Sequence, residues 1–197
     1  MTTRIKTSET ELKHLVIAWL AIAFAFTLIL RRWHALDPIT IFAISAVTVG
    51  LAFILHELAH KVVAQRFGAW SEFRMAPKML LLAIFTAFLG FIFVAPGAVM
   101  IFNPYLTRAE NGKIALAGPM TNVLLAFLFF GLFSLAPYGV IGLIGTFGMT
   151  INAWLAVFNL IPFSILDGRK VLAWNTRVYG LALGLAILTL ILSTLGT

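Results

Sequence analysis

The chain contains no cysteine, so neither a disulfide framework nor a thiolate metal site is open to it. Charge is nearly as scarce. Of its 197 residues 11% are charged, and only seven are acidic. A soluble domain of this size needs a polar exterior, which a chain with 61% hydrophobic residues does not supply. The alternating ten-residue segments of an outer-membrane barrel are also missing, as are repeats and low-complexity tracts.

What fills the sequence instead is long apolar runs, several near or above the ~20 residues that cross a ~30 Å hydrocarbon core. The first is LVIAWLAIAFAFTLIL, residues 15–30. It follows a charged stretch, as a secretory signal does. It is longer than the usual signal core, however, and the flank RRWHALDP lacks a small-x-small cleavage site, so it reads as a retained span. A second run begins near Pro38, suited to a first helical turn, and reaches about Phe67. A Phe-rich block covers 79–102 and is broken by APG at 95–97. Further spans are expected at 114–136, 139–166 and about 178–195. The fold class is an all-α polytopic membrane protein with about five to six transmembrane helices. The net charge of +7 would suggest an acidic partner in a soluble protein. In a membrane protein it marks cytoplasmic loops facing anionic headgroups, so the expected partner is the lipid bilayer and not nucleic acid.

The block at 79–102 decides the topology. If it crosses the membrane, the fourteen Lys and Arg residues divide evenly between the two sides. If it dips in and returns, only Arg31 and Arg32 lie outside and the other twelve inside, which the positive-inside bias prefers. The reading is therefore five true spans, a cytoplasmic N-terminus and a re-entrant, partly extended segment. Whether 79–102 is helix or strand stays open. Irregular backbone at membrane depth needs protein or a water-filled cavity around it, so an internal cavity is implied.

Into one of the most apolar runs the sequence places HELAH, residues 56–60. On a helix His56 and His60 are one turn apart on one face, able to offer imidazole nitrogens to one metal ion, with Glu57 beside them. This is the H-E-x-x-H arrangement of zinc hydrolases, in which the glutamate takes a proton from water activated by the metal. The alternative is a polar pair lining a helix interface, although ionisable residues inside membranes usually serve function. A third ligand is needed, and few acids are available. Glu9, Glu11, Asp37, Glu72 and Glu110 sit in tails or loops and are expected at the surface. Asp167 ends an apolar run in NLIPFSILDG, and in the re-entrant topology it arrives at the same depth as the histidines. The competing reading is a helix-terminal Asp-Gly turn at the membrane surface.

Together HELAH (56–60), AGPMTN (117–122) and NLIPFSILDG (159–168) resemble the site-2 protease family of intramembrane zinc metalloproteases, peptidase family M50. The resemblance spreads over about 110 residues, with the motifs in the family's order. It implies one Zn2+ held by His56, His60 and Asp167, with Glu57 as catalytic base. It implies for Asn159 a role in handling the substrate or polarising its carbonyl. Asn122 is open to two readings, a hydrogen bond between membrane helices or a direct part in substrate binding. Relatives carry extended segments near the site, and APGAVMIF (95–102) is the candidate here, with Gly97 and Val99 as substrate-binding positions. A transmembrane substrate hides its carbonyls in its own helix, so it must unwind, and an exposed strand edge could receive it.

The expected protein is a single membrane-embedded metalloprotease domain over 1–197, with its catalytic core about 38–177 and no appended soluble domain. Its expected activity is hydrolysis of peptide bonds within or near the spans of membrane-protein substrates, as a multi-pass protein of the cell membrane with its site toward the cytoplasm. A proteolytically inactive relative that binds membrane helices as a chaperone or scaffold is the alternative, against which the intact Glu57 argues. A cation transporter would leave the i, i+1, i+4 spacing unexplained.

Overall fold

The computed structural model describes residues 5–92 and 96–195. Helix α1 (Glu9–Leu30) opens at Ser8, whose hydroxyl accepts from the Glu11 backbone N–H. Asp37 caps α2 (Pro38–Ser45) by accepting from the N–H groups of Ile39 and Thr40, and proline takes the first helical position. A π-helical turn (Ala46–Gly50) then joins α2 to α3 (Leu51–Arg66), making one span with a change of phase. Trp19 of α1 fixes that turn: its indole N–H donates to the Ala46 carbonyl at 2.9 Å, and its ring fills the space a Cβ at Gly50 would need.

Gly68, at φ +73°, turns the chain into β1 (Trp70–Met75), followed by α4 (Pro77–Leu89) and β2 (Gly97–Phe102). The strands pair antiparallel, with Trp70 opposite Phe102 and Met75 opposite Gly97. Both ends of the block thus lie together, and α4, about 20 Å long, is too short to cross a bilayer. The block is re-entrant, and it is both helix and strand. Helix α4 runs beside α1 and ends at Gly90 (φ +97°), where the Arg32 guanidinium donates to the Phe88 carbonyl at 2.5 Å. Ala95 of the expected break lies outside the described residues.

Helix α5 (Arg108–Leu135) begins earlier than its apolar run, because Thr107 and Glu110 form a capping box. Helix α6 (Gly139–Asn159) ends seven residues before the expected limit of 166. Pro162 has no N–H with which to continue it, and residues 160–166 make a loop. The short α7 (Asp167–Trp174) and α8 (Thr176–Leu195) complete the chain. Among the described residues five helical spans, α1, α2–α3, α5, α6 and α8, are long and apolar enough to cross a membrane. Their packing uses small residues: Ala156, Ala182 and Ala186 are buried between α6 and α8, while Gly145 lets the α5 backbone approach at Phe133 and Gly148 admits the Phe129 ring. Large side chains such as Leu81, Phe85, Leu124 and Leu185 point outward, as an exterior facing hydrocarbon requires.

Candidate metal centre and active site

Helix α3 carries His56, Glu57 and His60, all buried, and α7 brings Asp167 to them. The His56 and His60 Nε2 atoms are 3.0 Å apart and lie 3.4 and 3.1 Å from Asp167 Oδ2. Three ligands about 2.0–2.1 Å from a tetrahedral zinc ion stand roughly 3.3–3.4 Å from one another. The donor triangle has the chemistry such an ion takes, with one edge at that spacing and two a few tenths of an ångström shorter, so His56, His60 and Asp167 are the residues that would hold it.

Three local features let the ligands converge. Gly118 of α5 faces the imidazoles so closely that a Cβ there would collide with both Nε2 atoms. Gly168 does the same for the loop, since a Cβ would strike the Leu160 backbone; the fold-back of 160–166 that delivers Asp167 needs a glycine next to the aspartate. Asp167 also sits in the first turn of α7, where the helix dipole favours a carboxylate. Burial alone would raise its carboxyl pKa, but the His56 and His60 imidazoles facing it outweigh that and hold it below the usual carboxylate range.

The rear nitrogens of both imidazoles are engaged. His60 Nδ1 donates to the Ile114 carbonyl at 2.7 Å, and His56 Nδ1 donates to Asn122 Oδ1 at 2.5 Å. Asn122 is fully buried; its Nδ2 donates to the Ala52 carbonyl at 3.2 Å and to Asn152 Oδ1 at 2.9 Å. Asn159 ends α6 and donates its amide to Leu155 O at 2.9 Å, leaving its Oδ1 available.

Glu57 reaches the hairpin, its Oε2 accepting from the Val99 N–H at 2.8 Å. At the paired position the Phe73 N–H points the opposite way, to Glu11 Oε1 at 2.9 Å. Val99 therefore belongs to a pair whose amides face outward, and β2 offers its Gly97, Val99 and Ile101 backbone groups along the edge away from β1. The Cα of Gly97 packs tightly on Arg74 and Met75 of β1. Glu11 departs from its expected surface position: it is fully buried and pairs with Lys61, whose Nζ lies 2.5 Å from Oε2. Sequence alone had no means to pair two charges 50 positions apart.

The family model described as "Peptidase family M50" matches residues 44–145. The chain is 47% identical over 176 residues to the "Putative zinc metalloprotease MJ0611" of Methanocaldococcus jannaschii, covering 88% of this chain and 89% of that protein. It is 29% identical over 155 residues to the "Putative zinc metalloprotease YwhC" of Bacillus subtilis, covering 68% and 70%. No solved structure matches it at comparable significance. A membrane-embedded metallopeptidase is the class that fold and ligand set define. The chain belongs to peptidase family M50.

Proposed function

We propose that this metalloprotease cuts peptide bonds within or close to the membrane spans of other proteins. The observation that carries the reading is the placement of ligands and base inside an apolar helix bundle, next to the outer edge of a β-strand. The cofactor is one zinc ion, with His56, His60 and Asp167 to hold it. When bound, zinc supplies Lewis-acid chemistry, making a water ionisable near pH ~7 and polarising a carbonyl. Glu57 accepts the proton of the attacking water and returns it to the amine as the C–N bond breaks. An unwound substrate segment adds along β2, where Gly97 and Ile101 supply backbone partners and Val99 its carbonyl, its N–H being held by Glu57. Asn159, once its amide leaves Leu155, donates to the scissile carbonyl. The twelve-to-two division of basic residues supports a cytoplasmic N-terminus and a site toward the cytoplasm, with the cell membrane as the proposed location.

In Glu57→Gln, zinc content should stay at the wild-type level while cleavage of a co-reconstituted transmembrane substrate falls about 10²–10⁴-fold. Undiminished cleavage by that variant would remove Glu57 as the base. Cleavage confined to soluble peptides by the wild-type protein would remove the membrane substrate.

A further inference from the structure

We infer that Asn152, on a helix that supplies no metal ligand, is a positioning residue that selects which nitrogen of His56 can bind the metal. The inference rests on the metalloprotease reading and begins at a backbone carbonyl. Asn152 Nδ2 donates to Gly148 O at 2.8 Å, and a carbonyl oxygen only accepts. The Asn152 amide is thereby oriented, with Oδ1 turned toward α5. There it accepts from Asn122 Nδ2, whose second hydrogen goes to another pure acceptor, Ala52 O. Both Asn122 hydrogens are thus committed, and its Oδ1 faces His56. Nδ1 of His56 must then carry a hydrogen, so Nε2 is the nitrogen with a lone pair to give to a metal.

The chain Gly148–Asn152–Asn122–His56 has one polarity, set by two carbonyls, and no member of it can flip without leaving a buried partner unsatisfied. Both asparagines are fully buried, so their amides have no solvent to turn to. His60 reaches the same state in one step, through Ile114 O. Asn122 is accordingly assigned to His56 and not to substrate. Outer partners of metal-binding histidines commonly tune affinity 10–100-fold.

The test is zinc affinity, read by chelator competition on the full-length protein in detergent, with thermal stability of the zinc-free form measured alongside. Asn122→Leu should weaken zinc binding about 10–100-fold, and Asn152→Leu about 10-fold. Because Asn152 acts through Asn122, adding Asn152→Leu to Asn122→Leu should change affinity no further. Asn122→Asp keeps an acceptor facing His56 but loses both donors, so it should bind zinc more tightly than Asn122→Leu while the zinc-free form loses stability. Thr48→Val removes a different buried hydrogen bond from the same span and should leave zinc affinity at the wild-type value. If Asn152→Leu does not fold, Asn152→Ala removes the same acceptor and answers the same question. Zinc affinity within twofold of wild type in the folded Asn152 variant would overturn the inference. So would effects that multiply in the double variant. Loss of cleavage in Glu57→Gln bears on the function alone and leaves this result standing.

Discussion

Helix α3 has two buried polar faces one residue apart, and they solve the same electrostatic problem differently. At His60 the neighbours are acceptors: two imidazole nitrogens and a carboxylate oxygen crowd within 3.0–3.4 Å. At Lys61 the cation is part of the chain. Its ammonium donates to Glu11 Oε2 and Thr7 Oγ1, and Glu11 Oε1 takes the Phe73 N–H. The second cluster is neutral and complete in itself. The first lacks positive charge until an ion or protons arrive, and that deficit makes it a site instead of a strut. A buried polar cluster thus signals function when its charges do not balance internally.

Gly118→Ala is the strongest way to break the metal face. The methyl would occupy the space in front of both Nε2 atoms, so zinc binding should be abolished in a metal assay. The same clash exists without zinc, since relieving it moves two buried imidazoles off their rear hydrogen bonds, so the zinc-free protein should also lose stability, with helix propensity returning at most about 1 kcal/mol. Zinc bound at the wild-type level by Gly118→Ala would show that the imidazoles have room to move aside.

Lys61→Met tests the other face. Removing one partner of a buried ion pair costs about 3–5 kcal/mol, seen as a lower unfolding midpoint, with zinc stoichiometry kept at one. The double change Glu11→Leu, Lys61→Met should recover part of that loss, limited by the Phe73 N–H left without its acceptor. If zinc occupancy fell with Lys61→Met, the two faces would not be separable as described. The smallest effect is expected from Trp19→Phe, which removes one hydrogen bond to the π turn and should cost about 1 kcal/mol. Its zinc content should match wild type.

The three residues that meet at the candidate metal centre were legible in sequence because spacing and scarcity act together: i and i+4 give two candidate ligands, and seven acids leave few candidates for a third. The re-entrant block was legible through the division of basic residues and not through its own residues. Strand β1 was not foreseen. WSEFRM is short and mixed in polarity, and its partner begins 27 residues later. Burial of Glu11 went unseen for a similar reason, since a charge near a basic tail looks solvated until its partner is known. Gly118 stood within AGPMTN, yet the need for hydrogen in place of a methyl appears only when the imidazoles face it. Asn152 did carry a signal, an amide inside an otherwise apolar span, which is costly unless it is hydrogen-bonded.

The π turn at Ala46–Gly50 gives the metal site a phase as well as a set of ligands. The span from Pro38 to Arg66 acts like a crankshaft: its first half is keyed to the bundle by Ile41 and Ile44, and its second half carries the imidazoles. Each residue advances a helix by about 100°. Deleting one residue from the wide turn would straighten the shaft and swing His56 and His60 about that far from Gly118 and Asp167, with every ligand still in the sequence. The number of residues between Asp37 and His56 is as much a condition for metal binding as the histidines themselves.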